Sequence, residues 1–527
     1  MMKRKTDIIF VLLLLAVSFF YDYPAILFSR PSYHHIWRQT DCLSITMNYY
    51  RDNRNFFEPA ILYDGGCGGK TASEFPVIYY TVAQLWKIFG YHEFIFRLVN
   101  ILIVFTGLYC LFRLAREFLE DDFWAIMVPI YLFSSPILVF YTNNFLADAP
   151  AFGFALIACY FYWKGISRER KKWFWLAFLF FALAGVLKIS SLLIFIALLI
   201  IHIYILLFKR KQKGWLNQGS LLIPYFLVFV VIALWYGYVH YYNKHNMSGI
   251  FLQGILPIWE IDKNTINQVY KSLYDLILPS YFTMPALWAE GVLLLLLFVF
   301  FKRVNKYFLF LSWIVFIGCI GFVLLFYQVF TIHDYYMTNL LIFIPLPLLA
   351  ALDLSRRRFP LVFKHYIPKI IFAGSTLILL YVGAVDIRMK YNAQQPFVQK
   401  NLVIKKEKIV PWVLYENYSS KYLKALETIT PYLRQIGIKR DDLVLSIPDW
   451  GINITLYLMD QKGYTDFISY SLPEDRKIAK AIEYGVRYLV VNDTAVYSKP
   501  NMAQYLQHRI GKYRNVEIFD LKTGESR

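Results

Sequence analysis

The chain has 527 residues, of which 58% are hydrophobic and 17% charged, a balance that excludes an ordinary soluble globular protein. Its formal net charge is +19, but the basic residues cluster between apolar segments. That arrangement reads as membrane topology and contact with anionic headgroups rather than as a nucleic-acid footprint, so no nucleic-acid partner is expected.

A helix needs about 20 mostly apolar residues to cross the hydrocarbon core, and about eleven stretches qualify. In chain order they are 8–28, 96–116, 123–141, 146–163, 173–187, 189–208, 221–240, 285–301, 307–329, 336–352 and 367–386. The first lacks a small-residue cleavage site and runs into Phe28-Ser29-Arg30-Pro31, which predicts an uncleaved anchor. The stretch 76–92 is shorter and broken by Lys87, which predicts an interfacial helix. Between 173 and 208, Lys188-Ile189-Ser190-Ser191 is the expected turn, because an ionisable residue at the bilayer centre is costly.

Basic clusters recur at Lys3-Arg4-Lys5, Arg113 and Arg116, 164–172, 209–213, Lys302, Arg303 and Lys306, and 356–369, whereas 142–145 and 330–335 carry no Lys or Arg. The asymmetry predicts a cytoplasmic N-terminus and, with an odd number of crossings, a C-terminus on the opposite side. Two outer loops are expected, at 29–95 and 241–284. The expected organisation is a transmembrane domain over 1–386 followed by an outer-face α/β domain over 387–527. In that tail Tyr422 to Ile436 has helical spacing. Strands are expected at 443–447, 488–491 and 516–519, with a helix at 477–484 completing a βαβ connection. Cys42 and Cys67 share the first outer loop, as a disulfide or as two free thiols.

The polar residues that could do chemistry gather on the outer side. Trp37-Arg38-Gln39-Thr40-Asp41 opens the first outer loop, Glu74-Phe75-Pro76 closes its irregular part, and Asp148 is expected one turn into the fourth span. A carboxylate beside a membrane can act as general base towards a bound hydroxyl. Asp41 could instead cap a helix over 43–50, and Glu74 could merely sit favourably at a helix start. An acid at the position of Asp148 is expensive unless it pairs with a cation or faces water. Arg97, Lys188 and His333, with Tyr335 and Tyr336, approach the same side and suit a lipid-borne phosphate, although each basic residue alone could be a snorkelling anchor. The adjacent His34 and His35 read as structural. No Walker loop, GxSxG elbow or metal-ligand spacing is present in the sequence. A donor activated by a lipid phosphate therefore suits the chain better than ATP, and no cofactor is expected.

These residues carry a resemblance. Trp37 to Asp41, Glu74-Phe75-Pro76, Phe89-Gly90-Tyr91-His92-Glu93-Phe94 and Arg97-Leu98 resemble the GT-C superfamily of membrane glycosyltransferases. The resemblance is to the branch of protein O-mannosyltransferases and the lipid A aminoarabinose transferase. It extends over most of the first 200 residues, including Asp148-Ala149-Pro150, and returns at His333 to Tyr336. Asp449-Trp450 with Leu456-Tyr457 looks like the outer domain of bacterial members.

The resemblance implies a polytopic α-helical membrane protein of GT-C type in a bacterial inner membrane. It implies inverting, metal-independent transfer of a sugar from a polyprenyl- or dolichyl-phosphate donor to an acceptor glycan, lipid or protein. By the same resemblance Asp41 is the base, with Glu74 and Asp148 as further site acids, and Lys188 lies near the donor phosphate. Trp37, Arg38, Gln39, Tyr335 and Tyr336 are expected to contact substrate. The chain departs from the pattern at Leu187-Lys188-Ile189-Ser190, where relatives have a Thr-Lys-Gly-Pro-like turn, and at Cys42, where the mannosyltransferases have a second acid. The rival readings are a polytopic transporter or flippase, and a non-catalytic assembly protein.

Overall fold

The computed structural model describes residues 2–208, 216, 218–251 and 254–521; the basic cluster at 209–213 lies outside them. The chain divides into two compact units. One comprises Met1–Phe28, Phe96–Gly237 and Gln253–Arg388; the other comprises Ser29–Ile95, Tyr238–Leu252 and Met389–Arg527.

The first unit is helical, and each of the apolar stretches read from the sequence forms helix. Glu93–Leu119, Ile189–Phe208, Gly219–His245, Lys306–Leu325, Asp334–Arg358 and Tyr366–Tyr391 are each long and apolar enough to cross a membrane. Two further candidates are bent rather than straight. Asp122–Leu132 and Pro136–Thr142 meet at 78°, and Lys263–Tyr281 meets Met284–Val299 at 84°. The first bend has a local cause. Ser135 caps a new helix by accepting from the Leu138 N–H, with Pro136 as the next residue, and a proline at that position starts a helix rather than continuing one. The second bend lies in a stretch that is largely helical within the expected outer loop 241–284. Asp262 accepts from the Asn264 and Thr265 N–H groups and starts a helix over Lys263–Ser272.

Close backbone approach packs this unit. A Cβ on Gly107 would lie 2.7 Å from the Gly153 carbonyl oxygen, and one on Gly153 would lie 2.9 Å from that of Ile103. Small residues at such crossings allow helices in lipid to pack by van der Waals contact.

The second unit holds helices Ile36–Arg51 and Val77–Phe89 and a five-stranded sheet. The strands are β1 (Val444–Ile447), β2 (Gly463–Tyr464), β3 (Tyr488–Val491), β4 (Arg509–Tyr513) and β5 (Val516–Asp520), in the order β2-β1-β3-β5-β4. β1 is parallel to β2 and β3, and β5 is antiparallel to β3 and β4. Helix Glu474–Glu483 lies between β1 and β3 in the chain, the crossover that a parallel pair requires. Both β1 and β3 are fully buried, which explains their largely apolar sequences, with Ser446 as the exception.

The expected helix over Tyr422 to Ile436 is not formed as one piece. Helix Lys406–Tyr422 ends where it was expected to begin, and a short helix Thr430–Gln435 follows with Pro431 in its first turn. The interruption falls at 423–429, where the chain turns, and Pro431 then starts the new helix, a position that suits proline.

Candidate functional site

Asp41 lies in the second turn of helix Ile36–Arg51, whose N-cap is His35, so it is not a capping residue. Its carboxylate is buried, at 2% exposure. Asn453 donates to Asp41 Oδ1 at 2.7 Å, and Arg38 Nη1 lies 3.9 Å from Asp41 Oδ2, one turn back on the same helix. Arg38 is also ion-paired to Glu74 through Nη2, and the Ser73 hydroxyl donates to the other Glu74 oxygen. The guanidinium lies over Phe251, 5.1 Å from its ring centre. Arg38 thus joins both acids of the first loop.

These surroundings set the charge of Asp41. Burial pushes its carboxyl up to about 6 and the nearby Glu74 pushes the same way, while Arg38 and the Asn453 hydrogen bond pull it down. A carboxyl poised near neutrality exchanges protons readily with a bound hydroxyl. Cys42, the next residue, is no rival nucleophile: burial pushes its thiol up to about 12. The Tyr79 hydroxyl donates to its sulfur, and Cys42 and Cys67 are both free thiols.

Of the other first-loop residues, Gln39 donates its amide to the carbonyls of Ser32 and His34 at 2.9 and 2.8 Å and so holds the turn into the helix. Trp37 packs edge-on to His35, and the rings of His34 and His35 lie 4.0 Å apart.

In the helical unit, Asp148 is the first residue of helix Asp148–Ser167 rather than one turn inside it. A carboxylate there meets the positive end of the helix dipole. It is fully buried, with Lys188 Nζ 3.0 Å from Oδ1, and its backbone carbonyl accepts from the Asn339 amide at 3.3 Å. Lys188 occupies the expected turn between Lys171–Leu187 and Ile189–Leu192. Its ammonium lies over Tyr336 at 4.4 Å and Tyr335 at 5.3 Å. The structure therefore gathers Asp148, Lys188, Tyr335 and Tyr336 into one cluster.

His333 donates a ring N–H to the Val329 carbonyl and lies edge-on to Tyr335. Arg97 is fully buried, donating to the Asn143 carbonyl at 2.6 Å and lying over Phe145 at 4.2 Å. With Asn100, which donates to the carbonyls of Asn144 and Leu146, it fixes the segment leading into Asp148. An apolar cavity elsewhere in this unit is lined by residues such as Leu111, Leu156, Tyr162, Ile194, Phe308 and Leu346, and neither Asp148 nor Lys188 lines it.

Three contributors escaped the sequence reading. Asn453 is 412 positions from the acid it binds. Tyr141 donates to Asp334, 193 positions away, beside Tyr335. Asn339 reaches Asp148 over 191 positions. Nothing local marks such partners.

The chain is thus a helical membrane protein with candidate spans in one unit and an α/β sheet in the other. Residues 73–237 match the family described as Dolichyl-phosphate-mannose-protein mannosyltransferase. The whole chain is similar to the crystal structure of ArnT from Cupriavidus metallidurans in the apo state. The two are 12% identical over 99% of this chain and 98% of that one, with a TM-score of 0.57. Against the same ArnT bound to undecaprenyl phosphate the identity is 11%, over 98% of each chain, with a TM-score of 0.56. No curated protein matches the sequence. The resemblance read from Trp37 to Leu98 and the fold agree: this chain has the GT-C fold.

Proposed function

We propose that the chain is an inverting glycosyltransferase that moves a sugar from a polyprenyl-phosphate donor to an acceptor hydroxyl at the outer face of a bacterial inner membrane. The observation that carries this reading is Asp41, a carboxylate inside a helix whose carboxyl burial pushes up to about 6 against the opposing pull of Arg38 and the Asn453 hydrogen bond. The GT-C fold and the undecaprenyl phosphate bound by the similar ArnT support a lipid-linked donor.

In this mechanism the acceptor O–H gives its proton to Asp41 while its oxygen forms a bond to the anomeric carbon. The bond from that carbon to the phosphate oxygen breaks on the opposite face, and its electron pair leaves with the lipid phosphate. The configuration is therefore inverted. Lys188 stabilises the leaving phosphate, exchanging part of its interaction with Asp148 for the phosphate oxygens. Arg97 adds positive field from a position fixed by the Asn143 carbonyl, and His333, anchored on the Val329 carbonyl, steadies Tyr335. Glu74 orients Arg38, and Tyr335 and Tyr336 flank the sugar.

The test is Asp41→Asn in the full chain, purified in lipid nanodiscs. Transfer from a polyprenyl-phosphate sugar should fall about 100- to 10,000-fold, while thermal unfolding and donor binding stay near wild type. Near-normal transfer by the variant would refute the assignment.

A further inference from the structure

The loop that supplies Asn453 to Asp41 also holds Trp450, three residues earlier, and Trp450 is 65% exposed. Tyr470, 51% exposed, lies beside it with ring planes within 10° and centroids 6.0 Å apart. The Tyr470 hydroxyl donates to the Trp450 carbonyl at 2.9 Å. Two large aromatic rings stacked in parallel and both exposed to water need an explanation, because solvent exposure of such a surface costs free energy that burial would recover.

The exposure does not come from a loose loop. Asp449, next to Trp450, is buried and accepts three hydrogen bonds, from the Gly451 and Thr455 N–H groups and the Thr455 hydroxyl, at 2.7–2.8 Å. The Asp449 N–H donates to Asp466, which is ion-paired in the interior with Lys477 at 2.5 Å. Lys477 in turn lies under the Trp450 ring, 5.6 Å from its centre, and Phe467 buttresses Tyr470 edge-on at 5.5 Å. The two rings are held in a fixed parallel arrangement, and the exposed Ser469 and Ser471 hydroxyls, bonded to each other, flank Tyr470 in the chain. A rigid, exposed aromatic face suits a pyranose ring, whose apolar C–H face stacks on aromatic rings.

We propose that Trp450 and Tyr470 form a carbohydrate-binding platform that stacks a pyranose ring of the acceptor glycan. The acceptor role rests on the transferase reading, whereas sugar binding at this pair does not. The platform is rigidly continuous, through Gly451 and Asn453, with the hydrogen bond that holds Asp41. The carboxylate of Asp41 also lies close enough to act electrostatically on Tyr470, whose hydroxyl is pushed up to about 12 chiefly by burial and by Asp449. A glycan seated on Trp450 is therefore presented to the same loop that sets the base.

The test is saturation-transfer NMR on the full chain in nanodiscs, with mannobiose, cellobiose and chitobiose as probes. Saturation should pass to ring protons on one face of at least one of these sugars. Trp450→Ala should weaken that binding about three- to tenfold, the range expected for one lost aromatic stack, and Trp450→Phe should retain most of it. Thermal unfolding of both variants confirms folding, since the side chain is mostly exposed. The Asp41→Asn protein should bind sugar as wild type does even if it transfers nothing, which separates this proposal from the catalytic one. Transfer of saturation to none of the probes, or equal signals from wild type and Trp450→Ala, would overturn the platform.

Discussion

Asp41 is under opposing influences, and removing any one of them has a predictable sign. If it is the base, transfer requires its deprotonated form, so kcat/KM should rise with pH, reach half its plateau at about 6, and stay level above that. The Asn453 hydrogen bond favours the charged form. Asn453→Ala should therefore shift the half-point upwards, losing most activity at pH 6 and little at pH 8; an unshifted profile would separate Asn453 from the base. The same burial has a cost in stability. The folded-state pKa values of Asp41 (about 6) and Asp449 (about 7) lie above the ordinary carboxyl range, so the folded state holds protons that the unfolded state releases. Their contribution to stability is fully present below about pH 4 and is lost as pH rises through 6 and 7. Lys188 and Asp148 present a different balance. Lys188→Met leaves a fully buried carboxylate without its ammonium, which should lower stability by about 3 kcal/mol. The double variant Lys188→Met, Asp148→Asn should regain most of that in thermal unfolding yet remain inactive. Recovered transfer in the double variant would show that the pair is structural only.

Segment composition predicted the helices of the membrane unit well, because a run of apolar residues in lipid has only one way to satisfy its backbone in a single segment. Bends were harder to read, since they arise from a few local bonds. The break at Ser134-Ser135-Pro136 depends on one serine side chain capping the next helix, and nothing in the hydropathy of 123–141 announces it. Helix Lys406–Tyr422 went unread because its sequence mixes Lys and Glu with Ile, Val and Trp around Pro411, a pattern with no clean apolar stripe. The close crossing of Glu93–Leu119 with Asp148–Ser167 tests this packing directly. Gly107→Ala would place its Cβ 2.7 Å from the Gly153 carbonyl oxygen, backbone that cannot move aside alone, so it should destabilise the helical unit by about 1–3 kcal/mol. Gly237→Ala, where a Cβ meets nothing within 4 Å, is the matched control and should leave the unfolding temperature unchanged. Equal behaviour of the two would mean that the crossing tolerates separation.

The sequence reading named both members of the Arg38–Glu74 and Asp148–Lys188 pairs but missed Asn453, Tyr141 and Asn339, because partners hundreds of positions apart leave no local signature. Asp41, Glu74, Asp148 and Lys188 stood out as charged residues in unusual places, whereas Asn453 looked like an ordinary loop residue. The second unit shows why this matters for the whole molecule. Its first-loop part and its C-terminal part are one structure. Tyr63 pairs with Gly463 at the edge of β2, and the Asp64 N–H donates to the Gly463 carbonyl. The Tyr63 N–H donates to Asn453, and Arg440 binds both Asn48 and Asp52. Neither part therefore satisfies its buried polar groups alone, and such groups cost about 1–3 kcal/mol each when left without partners. A chain ending at Arg388 should keep its membrane helices but lose order over 29–95. Limited proteolysis should then cut within that loop, which the full chain protects, and hydrogen exchange over Ile36–Arg51 should rise sharply. Adding residues 389–527 as a separate polypeptide should restore protection in proportion to its concentration. If the shortened chain kept residues 29–95 protected, the C-terminal part would be an appendage, and the order of Asp41 would not depend on Asn453.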